Sequence, residues 1–337
     1  MSARAPRVVV VTGATSGVGR ATARLFASEG SHVGLIARSE DALAATAEEL
    51  RADGASVWAV SADVSDPEDV EAAAIQIEEE LGTIDVWINN AMTTVFSFAF
   101  DIQPDEFRRA TEVTYLGTVW GTQTALRRML VRDQGTIVQV GSALAYRGIP
   151  LQSAYCGAKH AMKGYTESVR SELLHLGSRV HLGMVQLPAV NTPQFSHCRS
   201  RFDRHPQPVP PTYTPELAAE AVRLAVTHRR REVYLGFPTF KTIIGNKVAP
   251  GIVGRYLGVS GVDSQLSELP PDPGNTAGNL FAPLPGDPGA AGIFGDEARQ
   301  SSPLLWVSRH RGRLAAGAAL LATLGASVSR RAARRYG

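Results

Sequence analysis

The stretch Val8-Val9-Val10-Val11-Thr12-Gly13-Ala14-Thr15-Ser16-Gly17-Val18-Gly19 constrains this chain more than any other. Consecutive β-branched residues are stiff at χ1 and suit a pleated surface, so Val8–Thr12 reads as a buried strand. A glycine turn follows, and then a helical pattern over Ala21–Ser28 that Gly30 ends. The same alternation continues down the chain. Further strands are expected at His32–Ala37, Ser56–Ser61, Asp85–Asn89, Thr136–Val140, Val180–Gln186 and Glu232–Leu235. Helices are expected at Glu40–Asp53 and from Pro67 to Leu81, with Asp66 as cap and Pro67 in the first helical position. Strands this rich in Val and Ile, alternating with helices, predict an α/β, doubly wound, Rossmann-type parallel sheet of about seven strands with helices on both faces.

Composition sets outer limits. With 44% hydrophobic and 20% charged residues, wholesale disorder is excluded. A formal net charge of +2 gives no global field for binding nucleic acid. Two cysteines, Cys156 and Cys198, cannot build a disulfide framework and fit a reducing compartment. Cys156 reads as a packed small residue. The first apolar run leads straight into the glycine turn, so no signal peptide is expected, and the expected location is cytoplasmic. No H-x-x-x-H or C-x-x-C spacing calls for a metal.

The 337 residues divide in three. Residues 1–262 hold the alternating pattern. Residues 263–303 are an acidic, Pro/Gly-rich linker or wrapping arm: from Asp263 to Ala298 there are six acidic residues and no Lys or Arg. That composition is not expected to supply a core, and a chain ending near Val262 is expected to fold and bind cofactor. Residues 304–337 are a basic tail. Within 309–335, arginines flank the uncharged run Leu314–Ser329, which is 16 residues long and, as a helix, too short to span a ~30 Å hydrocarbon core. It suits peripheral contact with an anionic membrane, docking on a protein, or a marginal surface helix.

In the opening motif, Gly13 permits a sharp turn, Gly17 removes a Cβ that would block a pyrophosphate, and Gly19 lets helix and strand approach. Unpaired N–H groups at the helix start then face phosphate. Thr12, Gly13, Thr15, Ser16, Gly17, Val18 and Gly19 are therefore candidate dinucleotide contacts.

The spacing T-G-x-x-x-G-x-G resembles the short-chain dehydrogenase/reductase family. Asn89-Asn90-Ala91 matches its N-N-A-G, with Met92 replacing the last Gly; Asp63-Val64 matches its adenine-contacting pair; Ser142 and Tyr155-x-x-x-Lys159 match its catalytic residues. The resemblance runs from about Arg7 to Leu235. It implies a nicotinamide cofactor held additionally by Asn90, Ala91, Pro188, Val190 and Thr192, a small alcohol or carbonyl substrate, and a homodimer or homotetramer. At the end of the second strand Arg38 and Ser39 stand where a carboxylate would select NAD(H), so NADP(H) is preferred and NAD(H) remains open. Tyr155 and Lys159 lie one helical turn apart, and a nearby ammonium and the positive nicotinamide would lower the phenol's pKa. Tyr155 then serves as acid/base, Ser142 holds the substrate oxygen, and Lys159 bonds the ribose. Thr114 stands in the place of the family's Asn, which puts the proton relay in question. Val190 to Thr214, with Phe195, Phe202 and Tyr213, occupies the place of the substrate lid, and the apolar run Phe240–Leu257 follows. Both suit either an apolar substrate or simple packing. The alternative to an enzyme is a nucleotide-binding regulatory or scaffold protein.

Overall fold

The structure, a computed structural model, describes residues 7–273 and 276–312. The apolar tail run Leu314–Ser329 lies outside them. Among the described residues there are nine strands: β1 (Val8–Thr12), β2 (His32–Ala37), β3 (Val57–Ser61), β4 (Ile84–Asn89), β5 (Val95–Phe96), β6 (Thr136–Ser142), β7 (His181–Leu187), β8 (Arg199–Ser200) and β9 (Glu232–Tyr234). The helices are α1 (Gly17–Ser28), α2 (Glu40–Ala52), α3 (Pro67–Leu81), α4 (Pro104–Thr111), α5 (Gly117–Val131), α6 (Ser153–His175), α7 (Gln194–His197), α8 (Pro215–Thr227), α9 (Gly236–Val248) and α10 (Pro250–Ser260), with one π turn at Glu112–Leu116.

Seven strands form one sheet in the order β3-β2-β1-β4-β6-β7-β9, and every pairing is parallel. Successive side chains of a strand point to opposite faces. Val9 and Val11 accordingly enter the core under α1, α2 and α8, while Val8 and Val10 enter the core under α3, α5 and α6. The strand order reverses beside β1, whose neighbours are β2 and β4, and this opens a crevice at the strands' carboxyl ends.

Two features were not read from the sequence. The two-residue strands β5 and β8 pair in parallel and tie the loop after β4 to the segment after β7. The run Phe240–Leu257 is two helices, because Ala249 is non-helical and Pro250 starts α10.

The described residues of 263–303 pack against the domain, and the expectation that this stretch supplies no core is corrected. Leu266, Leu280 and Ala290 are all buried. Leu280 is fully enclosed with Val95, Ala110 and Ala154. Farther on, Arg299 bonds backbone to backbone with Thr212 and Thr214, and residues 303–312 are helical, with Leu305 in the main core. Single apolar anchors spaced by Pro and Gly have no periodicity, so composition alone hides them. Among the described residues no helix is long and apolar enough to cross a membrane.

Candidate active site

The crevice holds a cleft of about 1110 Å³. Gly13, Thr15, Ser16, Gly17 and Val18 form one wall, and Arg38, Ser39, Asp63 and Val64 another. Asn90, Ala91, Ser142, Tyr155 and Lys159 line its centre; Pro188, Val190 and Thr192 close it from the end of β7.

Three predicted residues stand behind the cleft. The Thr12 hydroxyl accepts from the N–H groups of Asn90 (3.0 Å) and Ala91 (3.1 Å), joining β1 to the loop after β4. A Cβ on Gly19 would lie 2.1 Å from the Gly13 carbonyl, so this glycine serves helix–turn packing. A Cβ on Gly17 would meet the Thr192 methyl at 2.9 Å, and Gly17 has φ +53°, so the residue is held to glycine by backbone and neighbour together. Thr114, fully buried in the π turn, is the third. Its hydroxyl donates to the Thr93 carbonyl at 2.9 Å and accepts from the Thr93 N–H at 3.1 Å. That hydroxyl fixes the backbone beside the cleft and does not point into it.

Ser142 ends β6, and its hydroxyl accepts from the Leu144 N–H at 3.1 Å and hydrogen-bonds the Tyr155 phenol. Lys159 is buried without a carboxylate partner among the described residues. Its Nζ donates to the Val140 carbonyl at 2.7 Å and sits 5.5 Å from the Tyr155 ring centroid. Burial pushes the lysine down to about 7. Burial also holds the phenol above its ordinary value, with the Ser142 hydrogen bond working the other way. Both shifts have the same cause: removing either group from water disfavours its charged form. Cys156, beside Tyr155, is a buried packed side chain whose thiol burial pushes up.

The arm crosses the end of the cleft lined by Arg38 and Gly17. Arg38 donates to the carbonyls of Asn279, Leu280 (3.3 Å) and Phe281 (3.3 Å). Asp63 is ion-paired with Arg109, whose Nε also donates to the Leu280 carbonyl at 3.1 Å. The Gly17 N–H donates to the Gly289 carbonyl at 3.2 Å, and buried Arg20 pairs with Asp287 and Glu49. Thr93 Oγ1 donates to Asn279 Oδ1 at 3.2 Å. Sequence reasoning missed Thr93, Arg109 and these arm residues, since nothing near them in sequence repeats a pattern.

The opposite end of the cleft carries apolar side chains. Of the three lid aromatics, only Phe195 lines the cleft; Tyr213 is in the core and Phe202 packs edge-on against Phe98. Phe237, Ile252 and Tyr256, from α9 and α10, supply apolar surface at the mouth. Among the described residues no three His, Cys, Asp or Glu side chains gather to hold a metal ion.

Comparison with known proteins agrees with this geometry. The family model for short chain dehydrogenase matches residues 7–201. The uncharacterized oxidoreductase YxnA of Bacillus subtilis (strain 168) is 34% identical over 269 residues, covering 79% of this chain and 76% of its own length. Bos taurus dehydrogenase/reductase SDR family member 7B is 37% identical over 172 residues, 49% of this chain and 53% of the relative. Among solved structures, a short chain dehydrogenase/reductase from Burkholderia phymatum in complex with NAD superposes with a TM-score of 0.65 at 25% identity, covering 74% of this chain and 95% of that one. The alcohol dehydrogenase of the archaeon Thermococcus sibiricus, complexed with 5-hydroxy-NADP, gives 0.58 at 28% identity over 68% of this chain and 95% of that one. A seven-stranded parallel sheet, a glycine loop at its switch point and a family match over more than half the chain lead to one assignment: this protein belongs to the short-chain dehydrogenase/reductase family of oxidoreductases.

Proposed function

We propose that the protein is an NADP(H)-dependent oxidoreductase that interconverts an alcohol and a carbonyl on an apolar small molecule. The observation that carries this is the convergence of Ser142, Tyr155 and Lys159 on the cleft that the glycine loop opens. The residues fit a dinucleotide. Val18 lines the cleft from the first turn of α1, where N–H groups lack intrahelical partners and favour phosphate. Arg38 is held by neutral carbonyls, without a carboxylate ion-paired to it among the described residues, which supports a 2′-phosphate partner.

The bound nicotinamide supplies the site from which hydride leaves or to which it moves, and adds positive charge in its oxidised form. The Ser142 hydroxyl holds the substrate oxygen beside the phenol. Tyr155 gives a proton to that oxygen in reduction and takes one in oxidation, and its raised pKa in the buried site favours the proton-carrying form needed for reduction. Lys159, with one of its donors on the Val140 carbonyl, keeps two for the cofactor ribose and for a proton path. The alternative, a nucleotide-binding regulatory protein, draws support from the arm that engages Arg38 and Gly17.

A panel of carbonyl compounds, tested with the purified full chain for loss of reduced-nicotinamide absorbance, separates the two readings. The enzyme reading requires turnover with some apolar carbonyl and its collapse in Tyr155→Phe. Cofactor binding with no turnover on any carbonyl or alcohol supports the regulatory reading.

A further inference from the structure

The helices α9 and α10 turn their apolar residues outward. In α9, Thr239 and Ile243 are buried against the domain, while Phe237, Phe240, Ile244 and Val248 form the opposite stripe. In α10 no residue is buried, and Ile252, Tyr256 and Val259 lie along one side at one-turn spacing. These seven side chains are between 42% and 84% exposed. Single exposed apolar residues are ordinary on a protein surface, but seven on two adjoining helices mark a surface that meets something. Loose attachment is not the cause: Arg147 donates to Asn246 Oδ1 at 3.0 Å, and Asn246 donates to the Tyr146 carbonyl at 2.8 Å, which anchors α9 to the loop after Ser142.

Charge indicates what that something is. Between Glu232 and Asp263 there is no acidic residue, and the three charged side chains are Lys241, Lys247 and Arg255. All three are exposed, and none takes part in an ion pair among the described residues. Outward apolar stripes interleaved with cations are the composition of a helix that lies in a lipid interface. A symmetric pairing of two copies through this face would set cation against cation with no carboxylate on either helix of the hairpin to relieve it.

We infer that the α9–α10 hairpin is a docking surface for an anionic lipid bilayer. The apolar stripes enter the headgroup–acyl boundary and Lys241, Lys247 and Arg255 meet the headgroup phosphates. The surface is continuous with the cleft, because Phe237, Lys241, Ile252 and Tyr256 are exposed and also line its mouth. Docking therefore turns the mouth toward the bilayer, and the substrate is an alcohol or carbonyl that partitions into lipid. This substrate class rests on the oxidoreductase reading; the docking does not.

The test is flotation of the full chain with vesicles of phosphatidylcholine containing phosphatidylglycerol, against vesicles of phosphatidylcholine alone, at low and high salt. The wild-type chain is expected to float with the anionic vesicles, less so at high salt. Each cation near an anionic surface is worth about fivefold in partition, so Lys247→Gln with Arg255→Gln lowers binding roughly 25-fold. Ile244→Ser, Val248→Ser and Val259→Ser together remove the binding that survives high salt. None of these five positions lines the cleft, so cofactor affinity and melting temperature are expected to hold. The basic tail is present in every variant, so the differences report the hairpin alone. Variants that float like the wild type overturn the inference and place any anchor in the tail. A wild-type chain that sediments as a larger assembly than the serine variant also overturns it, in favour of a second copy on this face. A carbonyl screen without turnover removes the substrate class and leaves the docking standing.

Discussion

Leu280 decides whether the arm is part of the fold or lies on it. Its side chain is wholly enclosed by Val95, Ala110 and Ala154, and its carbonyl accepts from both Arg38 and Arg109. Leu280→Ala deletes three carbons, roughly 2.4 kcal/mol at about 0.8 kcal/mol per buried methylene. Ala110 and Ala154 lie in helices and β5 is paired to β8, so the surround is poorly able to collapse and a cavity cost adds to the transfer cost. The total falls in the range of about 2–5 kcal/mol seen for such truncations. In urea, followed by far-UV circular dichroism, the midpoint is expected to drop with the slope unchanged, because the exposed surface at full unfolding is nearly the same. If the variant's free energy of unfolding stays within about 0.5 kcal/mol of wild type, the arm unzips before the domain unfolds, and its burial contributes nothing to global stability. By the same reasoning a chain ending at Val262 uncovers Phe96, Leu151 and Phe195, which pack against Leu266, and is expected to be recovered in low soluble yield.

Tyr155→Phe is expected to keep cofactor affinity and to slow turnover by roughly 10²–10⁴-fold, measured at saturating cofactor. Thr114→Ala strands the Thr93 N–H and carbonyl and is expected to cost about 1–3 kcal/mol in chemical denaturation but less turnover than Tyr155→Phe, whereas Thr114→Asn restores one donor and one acceptor and is expected to be the milder change. Arg38→Asp is expected to lower the ratio of NADPH to NADH affinity by about tenfold or more in fluorescence titrations; an unchanged ratio removes Arg38 as the phosphate ligand. Burial brings Lys159 to about 7, below its value in an unfolded chain, so between about pH 7 and pH 10 the unfolded state holds the extra proton and stability rises with pH. Lys159→Met is expected to abolish that rise in a series of denaturation curves.

Legibility followed the physics of each segment. The strands declared themselves because β-branched runs bounded by turns have few other uses, and Asp66-Pro67 marked the start of α3 to the residue. That Tyr155 and Lys159 share one helix, and that Gly13 turns the chain after β1, was readable because local spacing sets that geometry. What stayed hidden depends on distant partners. Thr114 stands in sequence where the family has Asn, but the partner of its hydroxyl is the backbone of Thr93, 21 residues earlier. The ionisation of Tyr155 depends on how much water the whole domain excludes, which no four-residue spacing encodes. The arm's hold on Arg38 spans more than 240 residues.

The four valines of β1 have one further consequence. Because all four are alike and both faces of the sheet are buried, sliding β1 by one residue would still leave valine at three of the four positions. Hydrophobic patterning, which ordinarily forbids such a slip, speaks only at the ends of the run here, where Arg7 or Thr12 would enter a valine's place. The register must be written in polar groups at the strand's two ends: the Asp85 carboxylate accepting from the Val8 N–H at 3.1 Å, and the Thr12 hydroxyl caught between the Asn90 and Ala91 N–H groups. Thr12 thus acts as a locating pin. It never faces the cleft, yet it determines at which residue the strand stops and the glycine turn begins, and so where the whole phosphate cradle is set down.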